Sequence, residues 1–331
     1  MIKVFFITSE KHNYFGVNQV LFGLKKFLKG KCSIINPDNI YSFIKHKPNV
    51  IHIHGCWKIN ILFYYIVCKF MGIKIIISPH GMLDPHSMSQ KKYLKLIFWH
   101  LFQKKMFLFS DQIIVNSDLE KRNIRKIVKH SNVSVISHGI ELNSLAYQKP
   151  KSNNAHLKYV FFSKIHPSKN LHSLINIWTY NSFFRNLELS IYGEIADLNY
   201  YNLIKKKFLG HKNIKYHGPI YKNKINILSK YDVFIFPSES ENFGIVVLEA
   251  LASGLYLILN KKLPWHHIQE KKYASLINLD KTNLINTIKK LKNKKLLIKK
   301  GNYKKNIRLY LKKNYNWEKI TNIYMDYYKK I

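Results

Sequence analysis

Apolar residues along this chain form short continuous runs, separated by longer stretches with helical spacing. In the first half, the continuous runs cover residues 3–8, 32–36, 50–55, 74–81, 112–117 and 133–139. Strands that are buried on both faces of a parallel sheet have this nearly unbroken apolar character. Between them, the segment 17–30 has helical spacing and ends at Gly30, a typical helix stop signal.

The second half repeats the same alternation, with no repeat of the sequence itself. Its apolar runs cover residues 159–164, 187–193, 214–218, 232–238, 255–260 and 275–279. Alternating strands and helices predict parallel sheets with helices on both faces. We therefore expect an α/β protein of two Rossmann-like domains, whose parallel sheets face each other across a cleft.

The domain boundary is predicted in the polar stretch that follows Gly139 and contains Pro150. This gives an N-terminal domain over residues 1–145 and a C-terminal domain over residues 146–313. Residues 314–331 have the spacing of an amphipathic helix, which we expect to pack back toward the N-terminal domain. Ligands of such folds bind at the carboxyl ends of the strands, so the residues after each strand are the site candidates.

The composition narrows the class of protein. The chain has 331 residues, of which 47% are hydrophobic, so two packed cores are possible. The longest apolar run, residues 61–68, is shorter than the roughly 20 residues that a membrane span requires. The three cysteines are odd in number, and no pair has metal-ligand spacing. We therefore expect no disulfide framework, which fits a reducing cytoplasm.

The formal charge of +37 requires an explanation. It favours a negative partner, namely nucleic acid, anionic lipid or a phosphorylated ligand. Drift of the composition toward lysine, asparagine, isoleucine and tyrosine explains it equally well, because the chain has only four arginines. No arginine-rich reading helix, zinc finger or aromatic RNA-binding motif is present, so we expect no nucleic-acid partner.

The segment SESENFGIVVLEALASG, residues 238–254, carries the clearest chemistry. It follows a predicted strand, and its loop leads through Gly244 into an apolar helix. The free N–H groups at the start of that helix favour an anion such as phosphate. Glu241 and Glu249 offer carboxylates to sugar and ribose hydroxyls. The alternative is that Glu241 caps the helix and Glu249 is solvated, although Glu249 lies among apolar residues.

This segment resembles the nucleotide-sugar signature of the retaining glycosyltransferases of family 4, which have the GT-B fold. Other stretches agree in the same order, and the resemblance covers nearly the whole chain: VIHIHGCW, SPHGMLDP, FFSKIHPSKNL, YHGPIY and LPWHHI. It is similar to a subgroup that builds bacterial surface polysaccharides such as O-antigen, capsule and exopolysaccharide. The resemblance implies a nucleotide-diphosphate sugar as donor and a polyprenyl-diphosphate-linked saccharide as acceptor. It also implies that residues 146–313 bind the nucleotide sugar and that residues 1–145 form the acceptor-side domain.

The resemblance also implies roles for individual residues. Glu241 contacts the donor sugar and counts as catalytic, while Glu249 contacts the ribose. The donor loop then comprises Asn242, Phe243, Gly244 and Ile245, which cover the diphosphate. Lys164 and Lys169 neutralise the diphosphate, unless they are ordinary surface lysines. The family has arginine where this chain has Lys164, and glycine where it has Ser163 and Asn170.

Near the N-terminus and in the first domain the implied roles are less complete. Gly16 matches the second glycine of the family's Gly-Gly loop, whereas Phe15 replaces the first. His80 is the candidate catalytic histidine, which positions the reacting groups and stabilises developing charge. His54, Trp57 and Asp84 are acceptor-side candidates. Alternatively, His54 and Trp57 belong to a packed loop and Asp84 caps a helix.

A metal site is a competing interpretation of the histidines. His52 and His54 point the same way along a strand, and with His80 and His86 nearby in the fold, three or four ring nitrogens could gather. No cysteine or carboxylate has supporting spacing, and the family needs no catalytic metal. We therefore expect no metal and no cofactor.

The segment 90–107 interleaves five lysines with Leu, Ile, Phe and Trp residues. This is typical of a helix that lies on an anionic membrane surface, or of a buried helix with lysines reaching to water. Together with the implied acceptor, it predicts a protein on the inner face of the cytoplasmic membrane. A variant of the prediction is a degenerate relative that binds the sugar nucleotide without turnover.

Overall fold

Each half of the chain forms one parallel sheet of six strands. The computed structural model describes residues 2–8, 15–35, 40–89, 92–142, 157–293 and 301–331. The strands of the first sheet are β1 (Lys3–Thr8), β2 (Ser33–Ile35), β3 (Val50–His54), β4 (Lys74–Ser78), β5 (Gln112–Val115) and β6 (Val133–Val135). Those of the second are β7 (Tyr159–Phe162), β8 (Leu189–Tyr192), β9 (Ile214–Tyr216), β10 (Val233–Phe236), β11 (Tyr256–Asn260) and β12 (Ala274–Ile277).

In each sheet, the direction in which successive strands are added reverses once, as it does in doubly wound folds. The first has the order β2-β1-β3-β4-β5-β6, and the second has the order β12-β11-β10-β7-β8-β9. All described strand pairs are parallel, with Val50 of β3 opposite Val4 of β1, for example. The predicted α/β class with parallel sheets is therefore confirmed.

Helices fill the connections between strands. In chain order they are α1 (Phe15–Leu28), α2 (Ile40–His46), α3 (Ile59–Phe70), α4 (Pro85–Ser89), α5 (Lys92–Phe98), α6 (Lys104–Leu108), α7 (Asp118–Ile127), α8 (Leu171–Thr179), α9 (Leu198–Phe208), α10 (Lys224–Leu228), α11 (Ile245–Ala252), α12 (His266–Glu270), α13 (Lys281–Asn293), α14 (Gly301–Tyr315) and α15 (Trp317–Lys330).

The chain divides into two compact units. The N-terminal unit comprises Met1–Gly139 with Tyr315–Ile331, and the C-terminal unit comprises Ile140–Asn314. The final helix α15 thus lies in the N-terminal unit, where it contacts α1. The indole of Trp317 lies against Gly23 and Gly139, and a Cβ at Gly23 would come within 2.2 Å of that ring.

The N-terminal sheet has two chemically different faces. One face packs against α2, α3, α6 and α7 through the apolar side chains Phe43, Tyr65, Phe107 and Ile124. The face toward α15 carries His52, which bonds Tyr328 of that helix. Alternate residues of β3 therefore supply either the apolar core or a polar layer, because successive side chains of a strand point to opposite faces.

One local prediction needs correction, and a second gains a detail. The predicted strand 74–81 ends at Ser78, because Pro79 has no N–H for the ladder and His80 has a left-handed φ of 51°. The predicted helix over 90–107 is continuous over the described residues 92–108, and it contains a π-helical turn at Trp99–Gln103 between α5 and α6. Residues 90 and 91 of that segment lie outside the described residues.

Candidate active site

The carboxylate-rich loop of the C-terminal unit follows β10. Gly244 is the N-cap of α11 and has a φ of 78°, a left-handed value that favours glycine. In the first turn, Val247 N–H donates to the Gly244 carbonyl at 2.9 Å, whereas the earlier N–H groups, such as that of Ile245, have no carbonyl of a preceding helical turn to bond. The loop therefore offers donors to an anion at the point where the strand ends.

Glu241 is held in place by two partners. Its Oε1 atom lies 2.5 Å from the Lys169 ammonium and also accepts a hydrogen bond from Ser238 Oγ at 2.8 Å. The side chains of Lys169 and Glu241 are only 20% and 13% exposed. By contrast, Lys215 and Glu188 form an ordinary surface pair in which both side chains are about half exposed.

Glu249 is buried on α11 and pairs with a lysine from another helix. Its Oε1 atom lies 3.1 Å from the Lys224 ammonium, at the start of α10. That ammonium also lies 5.7 Å from the ring centroid of Phe162, at the end of β7. The alternative that Glu249 is a solvated helix residue does not fit its 4% exposure. A buried carboxylate needs such a partner, because an unpaired charge is costly to bury.

An indole supports the loop that carries Asn242 and Phe243. Trp265 is buried, and its Nε1–H donates to the Phe243 carbonyl at 2.6 Å. Its ring also packs against the Phe243 ring at 5.0 Å between centroids. The Oδ1 atom of Asn242 is buried without a hydrogen-bond partner among the described residues. The backbone of this loop is thus fixed while one amide oxygen stays available.

The loop after β7 brings the second set of predicted residues to the same unit. Lys164 is partly buried two residues after the end of β7, and Lys169 lies in a 3-10 turn, Pro167–Lys169. Asn170 then adopts a φ of 53°, where the resembling family has glycine. Asparagine is among the residues that tolerate this conformation, so the backbone geometry survives the replacement. Asn170 Nδ2 also donates to Glu239 Oε1 at 3.1 Å.

Gly16 lies in the first turn of α1, next to residues 9–14, which are outside the described part of the chain. A Cβ at Gly16 would meet no atom within 4 Å. The described residues therefore set no steric requirement for glycine at this position, and its donor-binding role stays a prediction.

In the N-terminal unit, histidines meet at the carboxyl ends of β3 and β4. His54 ends β3, and its Nδ1 atom lies 2.9 Å from Nε2 of His80. The His80 Nδ1 atom lies 3.0 Å from Oδ1 of Asn116, which follows β5. His138, after β6, stacks against His80 at 6.1 Å between centroids.

The direction of these hydrogen bonds follows from Asn116. Its Nδ2 donates to the Ile136 carbonyl, so its Oδ1 faces His80 as an acceptor. His80 must then donate from Nδ1 and accept at Nε2, where His54 donates from its own Nδ1. This leaves a lone pair on His54 Nε2, which is buried without a hydrogen-bond partner among the described residues.

Burial keeps this cluster uncharged. Desolvation lowers the pKa of His80 to about 4, although the Asn116 hydrogen bond opposes the shift. Burial likewise lowers the pKa values of His52, His54 and His138 well below the ordinary value, and the neighbouring histidines add to the effect. A neutral His80 can position groups by hydrogen bonding, but it does not supply an imidazolium at pH 7.

The side chains of the remaining acceptor-side candidates, Trp57 and Asp84, bond to residues other than the histidines. Trp57 has a φ of 70° and packs toward α5, where Lys95 lies 5.6 Å from the centroid of its ring. Its Nε1–H donates to the Met82 carbonyl at 3.3 Å. Asp84 precedes α4, is buried, and accepts from Asn123 Nδ2 at 3.1 Å. Their acceptor-side roles stay predictions.

The histidines do not assemble a metal site within the described residues. No group of three or more His, Cys, Asp or Glu side chains there could hold a metal ion. His52 is instead bonded to Tyr328 Oη and Ser78 Oγ, each at 2.8 Å. The side chain of His86 lies outside the described residues.

Sequence reasoning missed three residues that hold these sites together: Asn116, Glu120 and Lys224. Glu120 could have been found, because Ser117 and Glu120 have the spacing of a helix capping box. Lys224 gave no such signal, since it is one of many lysines and its partner lies 25 residues further along the chain.

Two family models match the chain and together span most of it. Residues 8–144 match the model of Glycosyltransferase Family 4, and residues 146–308 match the model of the Glycosyl transferases group 1. The boundary between the two matches falls close to the boundary between the two structural units.

Among curated proteins, the chain is 22% identical over 279 residues to the phosphatidylinositol N-acetylglucosaminyltransferase gpi3 subunit of Schizosaccharomyces pombe, covering 78% of the chain and 59% of that protein. It is 23% identical over 243 residues to the GDP-mannose:cellobiosyl-diphosphopolyprenol alpha-mannosyltransferase of Xanthomonas campestris, covering 70% of the chain and 61% of that protein. The chain thus spans about three fifths of the length of these two relatives.

Among solved structures, HepE of Anabaena in complex with UDP and glucose superimposes with a TM-score of 0.76 at 14% identity, covering all of both chains. The structure of WaaG, a glycosyltransferase involved in lipopolysaccharide biosynthesis, gives 0.69 at 11% identity, covering 98% of this chain and 99% of that one. At these identities the likeness shows the fold, which is the GT-B fold of two Rossmann-like domains.

Proposed function

We propose that this chain, which belongs to the glycosyltransferases described by the group 1 and family 4 models, is a retaining enzyme that transfers a sugar from a nucleotide-diphosphate donor to a polyprenyl-diphosphate-linked saccharide. One observation carries the donor half of this proposal. Glu241 and Glu249 lie on either side of the helix start at Gly244, and each is paired with a lysine from another segment of the same unit.

The pairs explain how one site can bind both hydroxyls and phosphates. A carboxylate that is held by a lysine keeps an oxygen for a hydroxyl donor, because it has about four acceptor positions. Glu241 then takes the sugar hydroxyls and Glu249 takes the ribose. Lys164, Lys169 and the N–H groups at the start of α11 offset the charge of the diphosphate.

In the proposed reaction, the bond between the sugar C1 and the diphosphate oxygen breaks. A bond from C1 to the acceptor oxygen forms on the same face, and the acceptor proton passes to the departing diphosphate. No side chain acts as a covalent nucleophile. His80 is neutral and contributes by orienting the reacting groups, so the lysines and helix N–H groups stabilise the charge that develops on the leaving group.

Exposed apolar side chains on the N-terminal unit support a lipid-linked acceptor. The exposed apolar residues of α3 share one helical face: Ile59, Phe63, Ile66 and Phe70. A second exposed set belongs to α5 and the π-helical turn: Tyr93, Leu94, Ile97 and Leu101. Lys58, Lys69, Lys104 and Lys105 are exposed on the same segments. Apolar side chains flanked by lysines suit an anionic membrane surface, which we propose to be the inner face of the cytoplasmic membrane. Within the described part of the chain, every helix is too short or too polar to cross a bilayer.

The acceptor chemistry suggests a role in building O-antigen, capsule or exopolysaccharide. The mannosyltransferase of Xanthomonas campestris that the chain resembles acts on a cellobiosyl-diphosphopolyprenol. The proposal extends that class of acceptor to this chain, and leaves the donor base and sugar to experiment.

The decisive experiment incubates the protein with cell membranes and radiolabelled UDP-, GDP- and ADP-sugars, and then counts the lipid fraction. We expect label from one donor, and its loss in Glu241→Ala. Glu188→Ala is the matched control, because Glu188 also pairs with a lysine but lies on the surface. Absence of label from every donor, with nucleotides still raising the melting temperature, would favour a degenerate relative that binds without turnover.

Membrane binding is tested separately by flotation with vesicles. We expect the protein to float with vesicles that contain phosphatidylglycerol and to sediment with pure phosphatidylcholine. The double variant Leu94→Asp and Leu101→Asp should lose this binding, whereas Leu203→Asp, at an exposed leucine of the C-terminal unit, should keep it. Equal binding of all three proteins would contradict the proposed surface.

A further inference from the structure

A buried carboxylate lies behind the loop that carries His80. Glu120 is in the first turn of α7 and is 1% exposed. Its backbone N–H donates to Ser117 Oγ, as in a capping box. In that motif the carboxylate returns to the N-cap N–H, but here it does not. Glu120 Oε1 accepts from the Gly81 N–H at 2.6 Å, and Oε2 accepts from the Asn116 N–H at 2.7 Å.

These two N–H groups belong to the loops that place His80. His80 and Gly81 are consecutive residues with left-handed φ values of 51° and 78°. A left-handed histidine is strained and persists only when its surroundings hold it. Asn116, whose N–H is the second donor, supplies the acceptor for His80 Nδ1. One carboxylate therefore fixes both the backbone and the ring orientation of the histidine.

We propose that Glu120 is a positioning residue for sugar transfer, which holds the 79–81 loop and Asn116 so that the neutral His80 ring keeps its orientation. The inference rests on the proposed function, because it assigns a role in that reaction. Glu120 is a helix residue behind the loop, so it acts through His80 and Asn116. Short hydrogen bonds from two N–H groups to one carboxylate are strong enough for this task.

The test compares Glu120→Gln with Asp118→Asn. Asp118 is exposed in the first turn of the same helix, so this control removes the same charge without touching the loops. A glutamine has one acceptor oxygen, and its NH₂ group would face one of the two N–H groups. We expect kcat to fall at least tenfold in Glu120→Gln, with the donor KM and the nucleotide Kd unchanged within twofold. Equal kcat values in the two variants would overturn the proposal.

A spectroscopic measurement distinguishes failure of the positioning role from failure of the proposed function. Amide protons that donate to a carboxylate in short hydrogen bonds resonate downfield, so the Gly81 and Asn116 amide signals and the His80 Nδ1–H signal report the arrangement directly. We expect all three to move in Glu120→Gln and to stay in Asp118→Asn. If the wild-type chain transfers no sugar, the proposed function fails. Whatever that result, unmoved His80 signals in Glu120→Gln would overturn the positioning role.

A second variant covers the case in which Glu120→Gln does not fold. Asn116→Ser keeps the backbone N–H that bonds Glu120 but shortens the side chain that accepts from His80. The same selective fall in kcat is expected, and full activity would overturn the proposal, since the ring orientation would then be irrelevant.

Discussion

The two units of this protein share an architecture but differ in the chemistry at their strand ends. In the N-terminal unit, His54, His80 and Asn116 form a neutral hydrogen-bonded chain. In the C-terminal unit, Glu241 and Glu249 are charged groups paired with lysines. The sheet places loops at its carboxyl edge in both cases, and the residues in those loops decide the chemistry.

The difference has a physical reason. The histidine cluster is shielded from water, so its members lose their charge on burial. The Lys169 and Glu241 side chains keep partial access to solvent, and each finds a partner of opposite charge. A neutral cluster suits the orientation of hydroxyl groups, whereas paired charges suit a diphosphate. This chemical difference between the two units can be tested in four ways.

The largest expected effect is on turnover. His80→Ala should lower kcat by about a hundredfold, because loss of orientation at the reacting groups has effects of that size. The nucleotide Kd should remain within twofold, since Glu249, Lys164 and Lys169, which we propose to bind the nucleotide, belong to the other unit. The measurements are steady-state kinetics and nucleotide titration, with His46→Ala as control at an exposed position of the same unit. A parallel loss of nucleotide affinity would break the comparison.

The next largest effect is on the pH dependence of the free energy of unfolding. Histidine in an unfolded chain has a pKa of about 6.5, whereas that of His80 in the folded protein is about 4. Between these values the unfolded chain binds more protons. The free energy of unfolding of the N-terminal unit should therefore fall as pH is lowered through this window, by about 3 kcal/mol for His80 alone. His52, His54 and His138 act in the same direction.

Hydrogen exchange at pH 7 and pH 4.5 measures this effect in each unit separately. Amides of β3 and β4 should lose protection at the lower pH, while those of β10 and β11 should retain theirs. Earlier loss of protection in β10 and β11 would contradict the contrast between the units.

A smaller effect concerns the ribose. Glu249→Ala should weaken nucleotide binding about tenfold, because a hydrogen bond to a charged group contributes about 1.5 kcal/mol or more. Isothermal titration with the nucleotide measures this, and Glu188→Ala is the surface control. An unchanged Kd with an unchanged melting temperature would remove Glu249 from the donor site.

The smallest expected effect is that of chelation. Since the proposed reaction places lysines and N–H groups at the diphosphate, EDTA should leave the transfer rate within about twofold of the untreated value. Mg²⁺ added back after EDTA is the control for an indirect effect. A rate that collapses with EDTA and returns with Mg²⁺ would show that the lysines alone do not neutralise the leaving group.

The sequence predicted all twelve described strands in their order along the chain, but it placed the C-terminal ends of several strands too far along the chain. Apolar runs report burial, and burial continues past the last ladder hydrogen bond, as at residues 79–81 after β4. The π-helical turn within the helix over 90–107 was not predicted, because the spacing of apolar residues changes little over one such turn.

The sequence by itself determined the two parallel sheets and the carboxylate-rich loop before α11. Continuous apolar runs and a local motif are properties of neighbouring residues, and they can be read along the chain. The tertiary structure alone decided which lysine pairs with Glu249 and that Glu120 bonds the loop after β4. These partners are separated by 25 and 39 residues, and nothing in local periodicity specifies which buried polar groups meet.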